Sequence, residues 1–192
     1  MNIAQIDYSS IVTTDSSCKG LNDGIVNLFL KTIEQNFTFD DQIVKSFKTT
    51  EGQKIYDQQQ ISFGNATICL VPYEINGQWS IIIKNSENIK NYSNVFESKY
   101  QNHSTYQQED WQSGYTILIL ALQSLTKSSQ TIDSNLIKKF RVLLKETIVN
   151  NVDALNFCHN CFKIPTQIIF CKWCSLSFCN TCLTDPFACS RC

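Results

Sequence analysis

Eight of the ten cysteines lie between positions 158 and 192, and their spacing restricts what this chain can fold into more than any other feature. They run Cys158-x2-Cys161-x9-Cys171-x2-Cys174-x4-Cys179-x2-Cys182-x6-Cys189-x2-Cys192, four C-x2-C knuckles in succession. Such a knuckle turns two thiolates toward a tetrahedral ion at about 2.3 Å, so four knuckles satisfy two Zn²⁺ ions with no ligand left over. The short spacer between the second and third knuckles favours an interleaved arrangement over sequential ribbons. Cys158, Cys161, Cys179 and Cys182 are therefore expected on one ion, and Cys171, Cys174, Cys189 and Cys192 on the other. Residues 158–192 are too few to build a hydrophobic core, and a structural zinc site supplies about 10–16 kcal/mol of apparent binding energy in its place. A closed four-thiolate site has no open coordination position, so these ions are expected to staple the chain rather than to catalyse. His159 sits inside the first knuckle, but the cysteines already fill the ligand positions. Cys18 and Cys69 stand apart, and Cys69, on an apolar run, reads as a small core residue.

Clustered cysteines mean metal ligands before disulfides only where thiols stay reduced. The start of the chain, Met1 to Asp7, lacks the basic flank and apolar block of a signal peptide. The apolar run Tyr115 to Leu122 is far below the roughly 20 residues that cross a bilayer. A soluble intracellular protein of nucleus or cytoplasm is expected, with no membrane partner. The 16 basic and 17 acidic residues leave a net charge of −1, so no overall cationic field draws in phosphate backbones and direct nucleic-acid binding is not expected. Apolar residues at 43% are enough to bury a core.

Leu21, Ile25, Leu28, Phe29 and Ile33 recur at helical spacing behind Asn22 or Asp23 as N-cap, which predicts a helix over 21–35. Residues 36–66 are polar and weakly periodic and read as short helices and loops. The runs Thr67 to Tyr73 and Gln78 to Lys84 read as adjacent core strands, joined through the turn pair Asn76-Gly77. A weaker third strand is expected over Asn91 to Phe96. Ser113 to Leu125 is apolar nearly all round and predicts a central buried helix. Asn135 to Val149 predicts an amphipathic helix whose inward face is Leu136, Ile137, Phe140, Leu143, Leu144, Thr147 and Ile148; Lys138, Lys139, Arg141 and Lys145 form its solvated side.

The order of the knuckles resembles the cross-brace superfamily of RING, PHD and FYVE fingers. Phe178-Cys179-Asn180-Thr181-Cys182-Leu183 is similar to the third knuckle of a RING finger, and Phe187, two before Cys189, to an aromatic of PHD fingers. No histidine occupies a ligand position and Ser190 stands where many RING fingers have proline, so the subtype stays open.

Residues 21–150 carry, in order, features that resemble the ubiquitin-like-protein (SUMO) cysteine protease family. Leu21-Asn22-Asp23 followed by an apolar helix is similar to the family's "LND" helix, and Cys69-Leu70-Val71-Pro72-Tyr73 to its strand ending in proline. Gln78-Trp79-Ser80-Ile81 is similar to the strand "HW-x-L" that bears the catalytic histidine, and Gln107 followed by Ser113-Gly114 to "Q…DCG". The resemblance implies an α+β, papain-like domain with a small central β-sheet and a buried helix over residues 1–150, a linker over 151–157, and the two-zinc finger over 158–192. It also implies that the catalytic positions have degenerated. The nucleophile position is Ser113, the general-base position Gln78, the orienting acid is replaced by Ser93 or Asn94, and only the oxyanion-hole Gln107 is kept, with Trp79 beside the base. An amide cannot take up a proton near neutral pH, and loss of nucleophile or base costs on the order of 10⁶ in turnover. Gly20 occupies the position of the tryptophan that roofs the family's substrate groove.

A pseudoenzyme follows as the expectation: a protease-shaped adaptor that works by binding, inside a stable hetero-complex, with a ubiquitin-like modifier or a histone tail among the expected partners. Phe162, Ile164, Ile168, Ile169, Phe170, Trp173, Leu176 and Leu183 are too many apolar groups for residues 158–192 to hide unaided, which predicts docking of the finger onto the rest of the chain or onto a partner. One alternative is a RING-type ubiquitin or SUMO ligase, with Arg191 as the cationic contact and Phe162 as a surface residue of its recruiting groove. The other is an active ubiquitin-like-protein protease, with Ser113 as nucleophile and His103 as base.

Overall fold

The structure is a computed structural model, and its described residues are 7–12, 20–36, 43–58, 62, 64–85, 88–92, 101–102, 110–126, 130–150, 157–163, 165–172 and 176–187. The chain divides into two compact units, Met1–Ala121 and Leu122–Cys192. Among the described residues no helix is long and apolar enough to cross a membrane.

The first unit begins with α1 (Ser9–Val12) and α2 (Asp23–Asn36). Asn22 caps α2: its Oδ1 accepts from the Ile25 N–H at 3.0 Å, which satisfies one of the donors that a helix start leaves without an intrahelical partner. Ile25, Val26, Phe29, Leu30 and Ile33 form the buried face. There follow β1 (Val44–Ser46), α3 (Thr49–Gln58), β2 (Ile68–Ile75), β3 (Gln78–Lys84), β4 (Ile89–Tyr92) and β5 (Gln101–Asn102). A 3₁₀ turn over Asp110–Gln112 leads into α4 (Ser113–Thr126).

The five strands form one sheet in the order β1-β2-β3-β4-β5. Strands β2 and β3 pair antiparallel, from Cys69 opposite Lys84 to Ile75 opposite Gln78. Asn76 and Gly77, both at positive φ of 53° and 78°, make the turn between them, as a two-residue hairpin of matching twist requires. Both strands are buried on both faces, so each reads as a continuous apolar run rather than an alternation. On one face Cys69, Val71, Tyr73 and Ile82 pack with Ile55 and Tyr56 of α3. On the other, Trp79 lies against Leu21 and the head of α4.

Pro72 sits inside β2, where a missing N–H normally breaks a ladder. The Phe47 N–H donates to Leu70 O at 2.9 Å, so the backbone groups of Leu70, and two residues on of Pro72, point to the β1 side. Strand β1 ends opposite Leu70, and Pro72 therefore interrupts nothing.

The strand expected over 91–96 begins earlier, at Ile89, with Lys90 opposite Ile83. Two hydrogen bonds precede it: Asn85 N–H donates to Asn88 O at 2.9 Å and Asn88 N–H to Asn85 Oδ1 at 2.6 Å. Residues 93–96 lie outside the described residues. Within 36–66, α3 fits the expected short helix, whereas β1 is a strand the sequence did not announce. Its Val-Lys-Ser has no alternation long enough to register and is held by the parallel ladder to β2.

The second unit contains α5 (Ser134–Ile148), capped by Asp133 Oδ1, which accepts from the Leu136 N–H at 2.7 Å. Leu136, Ile137, Phe140, Leu143, Leu144 and Ile148 are its buried face, as the periodicity predicts. Strands β6 (Ile168–Phe170) and β7 (Ser177–Cys179) form an antiparallel pair within the cysteine module, with Ile168 opposite Cys179.

Candidate functional site

The first and third knuckles come together as the spacing predicts. Each is a tight turn: Phe162 N–H donates to Cys158 O at 2.8 Å, and the N–H groups of Cys182 and Leu183 both reach Cys179 O at 3.0 Å. The Sγ atoms of Cys158, Cys161, Cys179 and Cys182 all lie within 4.8 Å of one another, and all four are free thiols. A tetrahedral ion with 2.3 Å bonds to sulfur holds its ligand atoms about 3.8 Å apart. Cys161 Sγ and Cys179 Sγ are 3.8 Å apart, far beyond a disulfide and at the length of a tetrahedral edge. The donor set therefore fits a soft, tetrahedral cation, and these four residues would hold one such ion.

The electrostatics point the same way. A hydrogen bond from Cys161, opposed by burial and helped by nearby backbone N–H groups, pulls the Cys158 thiol down to about 4. The same hydrogen bond, with burial, pushes Cys161 up. Four crowded thiols cannot all ionise against one another, and a divalent cation at their centre removes the conflict.

His159 is not among the four. It is buried, its ring stacked on Phe157 at 4.5 Å. Its Nδ1 lies 3.0 Å from both Ser177 O and Ser177 Oγ. Ser177 Oγ in turn donates to Phe157 O at 2.6 Å, so the network ties the first knuckle to β7. Of the second expected set, Cys171 is a buried free thiol, and Cys174, Cys189 and Cys192 lie outside the described residues. Phe162, Leu176 and Leu183 are buried, while Phe170 and Phe187 are exposed. Phe162, expected on a recruiting surface, is only 3% exposed, because its ring meets Phe140 of α5 edge-on at 5.6 Å and Phe157 at 6.1 Å.

In the first unit, Ser113 meets the start of the strand that carries Gln78 and Trp79. Ser113 is the first residue of α4, 3% exposed. Its Oγ accepts from the Trp79 N–H at 3.1 Å, and Gln78 is the half-buried residue that precedes it at the start of β3. The Trp79 indole donates through Nε1 to Leu21 O at 2.9 Å. Gly114 is glycine for want of room: a Cβ there would lie 2.9 Å from Leu21 Cβ and 3.0 Å from Trp79 Cδ1. Ser93, Asn94, His103 and Gln107 lie outside the described residues. Gly20 is exposed, and a Cβ on it would sit 3.8 Å from Trp111 Cα. Trp111, half-buried and edge-on to Tyr115 at 5.9 Å, is the aromatic beside this site that the motif pattern did not flag. Only its position two residues before Ser113 could have drawn attention to it.

No family model matches the chain, and no curated protein matches it in sequence. Solved structures do. The SUMO protease Ulp1 with its catalytic cysteine oxidised to a sulfonic acid superposes with a TM-score of 0.57 at 13% identity, over 76% of this chain and 83% of that one. The C-terminal Ulp1 protease domain in complex with Smt3, the yeast ortholog of SUMO, gives a TM-score of 0.54 at 12% identity, over 71% and 79%. Likeness at such identity is likeness of backbone course, and by that measure the chain has a Ulp1-like α/β fold.

Proposed function

We propose that this chain is a catalytically inactive, protease-shaped adaptor: a binding subunit within a protein complex, carrying a structural two-zinc finger over residues 158–192. The single observation behind it is the Trp79 N–H to Ser113 Oγ hydrogen bond, which sets the Ser113 hydroxyl at the start of the strand that Gln78 begins. In a cysteine hydrolase of this fold, that junction needs a thiol facing an imidazole. Here it holds a hydroxyl and an amide, and an amide has no basic lone pair to receive a proton. The hydroxyl already accepts the Trp79 N–H, and the Gln78 amide cannot activate it. What stays is a scaffold whose β3 and α4 bracket the old substrate approach, suited to holding a protein rather than cutting one. The Smt3 complex of the structural neighbour makes a ubiquitin-like modifier the first partner to test.

The test is a ubiquitin-like modifier with a fluorogenic group on its C-terminus, incubated with the full chain. No release is expected, and turnover abolished by Ser113→Ala would overturn the proposal. Binding of the uncut modifier, followed by calorimetry, identifies whether the bracketed face still takes it. The ligase reading draws no support from Phe162, whose ring is spent on Phe140 and Phe157.

A further inference from the structure

Phe162 follows the thiol of Cys161 directly, and it adopts φ of 55°. That left-handed conformation is sparsely populated for a bulky side chain and persists only where the surroundings over-determine it. Two things hold it. Its N–H is fixed to Cys158 O at 2.8 Å, closing the knuckle turn. Its ring is fixed at 5.6 Å, edge-on, against Phe140 of α5, which has no exposed surface. Phe157, on the other flank of the knuckle, completes the aromatic group at 6.1 Å from Phe162. The first knuckle is thus bracketed by two aromatic rings, Phe157 immediately before Cys158 and Phe162 immediately after Cys161, and Phe162 lies on the buried face of a helix that starts well upstream.

We infer that metal binding at Cys158, Cys161, Cys179 and Cys182 and the docking of α5 are one linked equilibrium, with Phe162 as the coupling element. The ion fixes the knuckle, the knuckle forces Phe162 into its left-handed turn, and that turn presents the ring to Phe140. Without the ion nothing ties the first knuckle to the third, the turn loses its reason to form, and Phe140 loses its wall. Linkage runs both ways: whatever weakens the Phe140–Phe162 contact must weaken the hold on the metal by the same factor. Helix α5 therefore belongs physically to the finger, and its outward row, with Val142 60% exposed beside Lys138, is presented in a metal-dependent way.

The test uses the full chain loaded with Zn²⁺ and read by two measurements. The first is pulse alkylation of Cys158 and Cys161 across a chelator series, quantified peptide by peptide. Phe140→Ala should lower the chelator concentration that exposes half of these thiols by about tenfold, within the range usual for coupled sites. Phe140→Leu should lower it less, and Val142→Ala should leave it unchanged. The second is amide hydrogen exchange: stripping the metal should accelerate exchange over 136–148 while β2 and β3 keep their protection. Wild-type chelator midpoints in both Phe140 variants, or exchange in α5 indifferent to the metal, would overturn the inference. Should Phe140→Ala fail to fold, the Phe140→Leu midpoint decides. Neither readout depends on whether the first unit binds a modifier.

Discussion

The backbone N–H of Trp79 donates to Ser113 Oγ at 3.1 Å, so the hydroxyl at the head of α4 is tied to the strand that begins with Gln78. A buried N–H stripped of its acceptor costs about 1–3 kcal/mol. Ser113→Ala is therefore expected to lower the thermal midpoint by several degrees, at about 2–4 °C per kcal/mol for a chain of this size. Differential scanning calorimetry checks it, and an unchanged midpoint would show that the hydrogen bond does not support the fold.

Two glycines predict a graded response. A Cβ on Gly114 would press on side chains, Leu21 Cβ at 2.9 Å and Trp79 Cδ1 at 3.0 Å, whereas a Cβ on Gly52 would lie 1.8 Å from the backbone carbonyl oxygen of Pro72. Side chains give way by small shifts, so Gly114→Ala should cost about 1–3 kcal/mol. The Pro72 carbonyl belongs to a central strand and cannot retreat without pulling β2 with it, so Gly52→Ala should be clearly worse. Urea unfolding of the two variants, compared directly, reads the order.

Glu34 makes a pH-dependent tie between α2 and β1. Burial works to raise its pKa, but Lys31 at 2.8 Å and hydrogen bonds from the Ser46 hydroxyl and N–H prevail and hold the carboxyl below its usual value of 4.5. A carboxylate lowered in the folded state contributes stability that is fully present above its unfolded pKa and is lost as pH falls through the lower, folded one. The pair is largely solvated, so the contribution is under about 1 kcal/mol. Glu34→Gln should be slightly less stable than wild type at pH 7, and the gap should close toward pH 3 in paired denaturant titrations.

Metal content supplies the fourth test. Elemental analysis of the purified chain should find two zinc ions, and Cys182→Ser should lose the one held by the 158/161/179/182 set. Acidification should release the metal, because every thiolate ligand must then compete with a proton. A chain with no bound metal, whose Cys158 and Cys161 resist alkylation until treated with a reductant, would replace the zinc reading with a disulfide one.

The hairpin shows how much of the fold was legible along the chain. Two apolar runs around Asn76-Gly77 specify strands and turn locally, since the left-handed pair suits a two-residue hairpin. The same holds for the buried faces of α2 and α5, where a 3.6-residue period needs no knowledge of the partner. Strand β1 was not legible, because three residues carry no period and only the ladder to β2 makes them a strand. Phe162 was legible in part. As one of too many apolar groups for residues 158–192 to hide it predicted docking, but only the position of Phe140, far upstream, decides what covers it.

The amino-acid sequence by itself determined the chemistry available: which thiols sit at metal-binding intervals, and that positions 78 and 113 carry an amide and a hydroxyl. Identity and short-range spacing are properties of the chain, and no fold can alter them. Tertiary structure alone decided which groups meet. It brought Ser113 to the Trp79 backbone, gathered the first and third knuckles within 4.8 Å, and turned Phe162 onto Phe140. Those meetings depend on contacts between residues distant in sequence, whose energy is realised only when the whole packed arrangement forms.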